Sequence, residues 1–256
     1  MQDLITTFIQ DQIEWHDPEA NRQRFEGLIS SAPQSDLILL PEMFNTGFSL
    51  DSSRQAESMT GESVQWLTRM ARQSGAVIAG SLIIEADDRF YNRLIWMRPD
   101  GSFAYYDKRH LFRMADEHHH YTAGAERLVV NLKGWRICPL ICYDLRFPVW
   151  SRNNSHYDLL LYVANWPERR RLHWQSLLKA RAIENICYVV GVNRVGVDGN
   201  EIAYSGDSVV ISPQGEELLS AGSEAGLFTQ SLNYAALTEY RQSFPAHLDA
   251  DHFSLN

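Results

Sequence analysis

One pattern constrains this chain more than any other: a short, nearly continuous apolar run that stops at a polar or reactive residue. Leu37 to Leu40 halts at Pro41 and Glu42, Trp135 to Ile141 at Cys142, and Asp158 to Ala164 at Asn165. Continuous rather than alternating runs predict strands covered on both faces, as in the interior of an α/β sheet. Amphipathic helices fall between them. Asp17 followed by Pro18 has N-cap and N1 chemistry, and Phe25, Leu28 and Ile29 then recur at helical spacing. Val64, Leu67, Met70 and Ala71 repeat that spacing over Glu62 to Gln73, with Gly75 as the stop, and Arg171 to Asn185 reads as a third helix.

The remaining segments complete an α/β order. Leu4 to Gln10 opens as a strand. Val77 to Glu85, Arg89 to Arg98 and Phe103 to Lys108 follow as three more, the last two joined by the turn Pro99-Asp100-Gly101. Leu128 to Asn131 pairs with Trp135 to Ile141 around Gly134, and Cys187 to Val195 runs to a turn at 197–200. Tyr204 to Ile211 and Glu216 to Ala221 read as a hairpin, Phe228 to Leu232 as the last sheet strand, and Tyr234 to Tyr240 as a short helix before a tail. With no repeat, low-complexity tract or linker, residues 1–256 are expected to form a single domain.

Charge and cysteine content narrow the function classes. The formal net charge is -9, so the average field repels phosphate backbones and anionic membranes, and no nucleic-acid partner is expected. The apolar runs are far shorter than the roughly 20 residues of a membrane helix, so no membrane partner is expected either. Gln2 and Asp3 follow Met1 without a basic and then apolar leader, which makes the cytoplasm the expected location. Three cysteines, Cys138, Cys142 and Cys187, are too few and too odd for a disulfide scaffold.

Glu42, Lys108, Cys142 and Asn165-Trp166 all stand at strand ends, where an α/β fold gathers groups from distant parts of the chain. Taken singly, Glu42 and Lys108 read more readily as solvated loop charges than as catalytic groups. Cys142 has two readings of similar weight: a small core hydrophobe, or a nucleophile on a sharp strand-to-helix turn whose following N–H groups form an oxyanion hole. Cys138 and Cys187, inside apolar strands, read as core.

Three separated segments carry a resemblance: Leu39-Leu40-Pro41-Glu42-Met43-Phe44, Tyr106-Asp107-Lys108-Arg109-His110-Leu111-Phe112, and Ile141-Cys142-Tyr143-Asp144-Leu145-Arg146-Phe147. Together they resemble the carbon-nitrogen hydrolase (nitrilase) superfamily, and the likeness extends over nearly the whole chain. Segments 110–115, 121–124 and 165–167 look most like its bacterial omega-amidases, which hydrolyse 2-oxoglutaramate and related 2-oxo acid amides. The resemblance implies a four-layer α-β-β-α sandwich that acts without a cofactor and pairs into a homodimer, with segment 146–150 and the tail as candidate contact surfaces. It implies Cys142 as nucleophile, Glu42 as general base, Lys108 with the Tyr143 N–H as oxyanion donors, and Glu117 as a supporting carboxylate that positions Lys108 or the substrate amide. Carried over, these residues would act on a small 2-oxo acid amide through a cysteine thioester.

Other readings stay open beside it. The run Arg169, Arg170, Arg171 is either a solvated helix start or the anchor of a substrate carboxylate, to which a planar guanidinium is suited. Phe48 and Trp166 are either ordinary core or apolar walls of the pocket. Asp116, Glu117, His118, His119 and His120 with Cys138 and Cys142 supply metal donors, but without a familiar ligand spacing, so no metal is expected. A Cys-His-Asp hydrolase would leave Glu42 and Lys108 idle. N-carbamoyl amino acid hydrolysis, nitrile hydrolysis and a catalytically silent partner-binding role on the same fold complete the alternatives.

Overall fold

Strand and helix alternate as the apolar runs anticipate, and the computed structural model describes residues 2–251 and 253. The first half contains β1 (Leu4–Gln10), α1 (Pro18–Ser31), β2 (Leu37–Leu39), α2 (Ser52–Gln55), α3 (Glu62–Ser74), β3 (Val77–Ala86), β4 (Arg89–Met97), β5 (Phe103–Asp107) and α4 (Glu117–His120). The second contains β6 (Val130–Leu132), β7 (Trp135–Ile141), α5 (Pro148–Ser151), β8 (Leu159–Val163), α6 (Arg171–Asn185), β9 (Tyr188–Val192), β10 (Val195–Val197), β11 (Ala203–Ser205), β12 (Val209–Ile211), β13 (Glu217–Ser220), β14 (Gly226–Leu232) and α7 (Tyr234–Ser243). Local signals set the helix ends. The Asp17 carboxylate accepts the Ala20 N–H at 3.0 Å with Pro18 at the first helical position, and Gly75, at φ 69°, stops α3.

Two six-stranded sheets result, ordered β14-β1-β2-β3-β4-β5 and β13-β12-β9-β8-β7-β6. The strands of the first are apolar on both faces because each face meets a different layer. Ile9, Ile38, Leu40 and Ile78 pack beneath Phe25 and Ile29 of α1 and Leu67 and Met70 of α3. Phe8, Leu37, Leu39 and Val77 belong instead to the core shared with Ile137, Leu159 and Leu161 of the second sheet, which continues to Trp174, Leu178 and Ala182 of α6. Contact there is close: a Cβ on Gly191 of β9 would meet the Leu178 side chain at 2.4 Å. The result is an α-β-β-α sandwich.

Strand direction then gathers the site. β2 runs parallel to β3, and β4 is antiparallel to both β3 and β5, so β2 and β5 finish at the same end of their sheet. β7, β8 and β9 are mutually parallel in the other sheet. Glu42 and Lys108 therefore come from one sheet, and Cys142 and Asn165 from its neighbour.

Two expected strands are broken. Tyr204 to Ile211 divides into β11 and β12 because Gly206 and Asp207, at φ 74° and 59°, leave the extended region. Cys187 to Val195 likewise ends at Val192, and Val195 starts β10, which pairs only with β11 in a separate ribbon. Among the described residues, no helix is long and apolar enough to cross a membrane.

Candidate active site

Each central side chain follows a strand end where the backbone turns sharply. Glu42 comes after β2 and Pro41, and the next residue, Met43, is left-handed at φ 43°, with its N–H held by Ser81 Oγ at 2.8 Å. Cys142 itself is left-handed at φ 42°, between β7 and the 3-10 turn Cys142–Arg146. A non-glycine residue in that region is strained, as expected where a side chain is aimed at a site. In the first turn of that 3-10 segment the Tyr143 N–H has no helical partner.

Glu42 and Glu117 are fully buried, Lys108 is 1% exposed and Cys142 9%. Lys108 Nζ donates to Glu42 Oε1 at 2.9 Å and to both oxygens of Glu117 at 2.9 and 3.0 Å. Glu42 Oε1 also accepts Asn92 Nδ2 at 2.7 Å, and Oε2 accepts the Asn165 N–H at 2.8 Å. Glu117 Oε2 takes the Phe112 N–H as well, at 2.5 Å. Cys142 Sγ faces the Asn165 carbonyl at 3.9 Å. Lys108 Nζ further lies over the Phe48 ring, 5.3 Å from its centroid.

Two carboxylates against one ammonium set the electrostatics. Burial opposes the charge on Lys108, but Glu117 and then Glu42 outweigh it and hold its pKa well above the usual lysine value. Burial raises Glu117, against the pull of Lys108. Burial first and the Glu42 carboxylate second push the Cys142 thiol well above the ordinary range, so at neutral pH it rests protonated. Such a thiol attacks a carbonyl only when a base removes its proton during attack, and Glu42 is the adjacent carboxylate.

Lys108 and Cys142 open onto a cavity of about 220 Å³, with Glu42 and Glu117 buried behind its wall. Of the residues singled out in the sequence, Lys108, Cys142, Tyr143, Phe48, Trp166, Arg169 and Arg170 line it. Arg171 does not: its guanidinium donates to Asp207 Oδ1 at 2.7 Å, and it is absent from the cavity wall. The expected arginine run is thus reduced to two of its three members. The acidic, histidine and cysteine residues weighed as metal donors have separate places. Glu117 is committed to Lys108 and Cys138 is in the core, whereas Asp116, His118 and His119 cluster with donor atoms within 4.8 Å of one another.

The structure adds residues that the sequence reading passed over. Arg146, Phe112, Asp198 and Tyr204 line the cavity, the last two from the β10–β11 ribbon and its turn. Asn92, polar within the apolar strand β4, supports Glu42, and that placement was its sequence signal. Asp144, fully buried, ties the two halves of the site together. Its Oδ2 accepts the Tyr106 hydroxyl at 2.8 Å and the Ile141 N–H at 3.1 Å, and its Oδ1 accepts the His110 N–H at 3.0 Å and approaches His110 Nδ1 at 2.8 Å. The flanks of Lys108 are thereby fastened to the residue preceding Cys142.

Comparison with known proteins gives a consistent picture. A family model described as carbon-nitrogen hydrolase matches residues 6–242. The chain is 51% identical to Omega-amidase YafV of Escherichia coli K12, over 100% of both chains. It is 34% identical to the 2-oxoglutaramate amidase of Bacillus subtilis, over 94% of this chain and 95% of that protein. Its fold matches the crystal structure of XC1258 from Xanthomonas campestris, a CN-hydrolase superfamily protein with an arsenic adduct in its active site. The TM-score is 0.98, with 48% identity and 100% of each chain covered.

Proposed function

The chain belongs to the carbon-nitrogen hydrolase family, and from that membership we propose that it is an omega-amidase. It hydrolyses the terminal amide of 2-oxo acid amides such as 2-oxoglutaramate and 2-oxosuccinamate to the 2-oxo dicarboxylate and ammonia. The observation that carries the substrate class is one cavity bounded by both Cys142 and the guanidiniums of Arg169 and Arg170. An amide at the thiol and a carboxylate at arginine fit that pairing. Phe48 and Trp166 supply apolar wall to the same cavity.

The geometry supports the following chemistry. Glu42 takes the Cys142 proton as sulfur attacks the amide carbon, and Lys108 Nζ and the Tyr143 N–H receive the oxyanion. One preorganised donor of this kind contributes about 2.7–4 kcal/mol. Glu42 returns the proton to nitrogen, the C–N bond breaks, and ammonia leaves a thioester on Cys142. Glu42 then deprotonates water, which attacks the thioester carbon, and the proton returns to sulfur as the acid departs. Glu117 holds Lys108 in place through two hydrogen bonds. His110 stacks on Phe147, with ring centroids 3.7 Å apart, and pairs with Asp144, which suits a positioning part rather than that of base.

We read residues 1–256 as one hydrolase domain in the cytoplasm, a compartment suited to its three free thiols. The working unit is a homodimer joined across α5 and α6, where Val149, Leu172 and Ile183 are each at least half exposed. Sedimentation as a monomer at micromolar concentration would remove that last element. Ammonia release from a panel of amides tests the activity. Turnover of 2-oxoglutaramate and 2-oxosuccinamate, well above an N-carbamoyl amino acid and a simple nitrile, is expected. A preference for either of the latter would overturn the substrate assignment.

A further inference from the structure

The cavity is electrically uneven. Around the thiol, Glu42 and Glu117 share the single ammonium of Lys108. Elsewhere on the wall stand Arg146, Arg169 and Arg170, and among the described residues none of these three is ion-paired with a carboxylate. The carboxylate that shares this wall, Asp198, is committed to its own loop. Its Oδ1 accepts the Asn200 and Ile202 N–H groups at 2.8 and 3.0 Å, and its Oδ2 accepts the Tyr204 hydroxyl at 2.8 Å.

Aromatic faces, not counter-ions, hold two of the guanidiniums, those of Arg146 and Arg170. Arg146 lies over Trp166, 4.8 Å from the ring centroid, with an Nη within 3.0 Å of His173 Nδ1. Arg170 lies over Phe112 at 5.0 Å. Stacking fixes a guanidinium plane without cancelling its charge. Burial first, and then Arg169 and Arg146, draw Arg170 below the usual arginine value. Arg146 also occupies the same 3-10 turn as Cys142, so its position is tied to that of the reacting sulfur.

We propose that Arg146, Arg169 and Arg170 act as an uncompensated cationic cluster that selects ω-amides by the charge on their α-substituent, with Arg146 as a specificity-determining residue. The proposal rests on the omega-amidase reading and deepens it. 2-Oxoglutaramate presents a carboxylate beside a neutral carbonyl, so its far end is purely anionic. Glutamine has the same chain length and the same terminal amide, but its α-ammonium would enter among three guanidiniums with no free carboxylate to receive it. The cluster therefore admits the 2-oxo acid amide and refuses the amino acid amide.

Four amides resolve the test: 2-oxoglutaramate and glutamine differ at the α-substituent, and glutaramate and butyramide differ by the far carboxylate. Ammonia release would be followed for the wild-type protein, Arg146→Gln and Arg170→Gln, with melting temperatures recorded. The wild type should favour 2-oxoglutaramate over glutamine in kcat/KM by at least about 100-fold. Each variant should narrow that ratio by about tenfold or more, mainly through KM, and should lose more on glutaramate than on butyramide. An unchanged ratio in both folded variants, or an equal loss on all four amides, overturns the cluster's role. Wild-type turnover of butyramide without 2-oxoglutaramate would instead overturn the omega-amidase reading on which it stands.

Discussion

At the scale of the residue, Lys108 has the most at stake, because one buried ammonium holds two buried carboxylates. Removing one member of such a group leaves uncompensated charge, at a cost of about 3–5 kcal/mol. Lys108→Ala should therefore abolish turnover and also lower the melting temperature markedly, whereas Cys142→Ala should abolish turnover and leave melting nearly unchanged. Calorimetry of the two variants checks the contrast; equal melting temperatures would mean that the carboxylates are neutralised in some other way. Glu42, Lys108 and Cys142 were legible in the sequence because short motifs surround them at strand ends, and Glu117 only through the family resemblance; in the structure the four lie together. Arg171 misled because adjacent arginines look interchangeable in a sequence, while a helix start sends them in different directions and Asp207 captures this one. Arg146 was legible only as part of a motif and of a candidate contact surface, since nothing local distinguishes a cation facing a cavity from one facing water.

At the scale of the element, the ends of β5 and β7 must be held rigidly for Lys108 to meet Cys142. Three devices do this. Arg93 grips Asp107 through two hydrogen bonds, at 2.7 and 2.8 Å, just before Lys108. Asp144 joins Tyr106 and His110 to Ile141. Gly124 donates its N–H to the Lys108 carbonyl at 3.0 Å and passes so close to β5 that a Cβ there would lie 2.1 Å from the Asp107 carbonyl oxygen. Backbone has to move to admit a methyl group, so Gly124→Ala should cost about 1–3 kcal/mol and reduce kcat more than it changes KM. Wild-type kinetics and melting in that variant would show that the contact does not position Lys108. Most elements could be read from apolar periodicity, turn residues and caps. The one-turn helix α4 carrying Glu117, the β10–β11 ribbon and the break at Gly206-Asp207 could not, because long-range contacts rather than local pattern decide them.

At the scale of the whole molecule, the four layers bury titratable groups that water would otherwise hold, and this gives stability a pH signature. Burial pushes Cys138 up to about 12 and raises Cys187 and Cys142 as well, while the unfolded chain releases thiol protons near the ordinary value of about 8.5. Above that pH the native state binds more protons than the unfolded one, so stability falls as pH rises. Lys108, also raised, adds a contribution that is complete below the unfolded lysine value of about 10.4 and is lost above it. Melting temperature should hold steady near neutrality and decline from about pH 8.5 upward. A flat profile to pH 10.5 would contradict this degree of thiol burial.

The layered fold exists, on this account, to bring a base from one sheet and a thiol from the other to a single amide carbon. The most direct test is ammonia release from 2-oxoglutaramate by the wild-type protein and by Cys142→Ala, each shown to be folded. Steady turnover by the wild type and none above background by the variant are expected. Substantial turnover by Cys142→Ala would contradict the account.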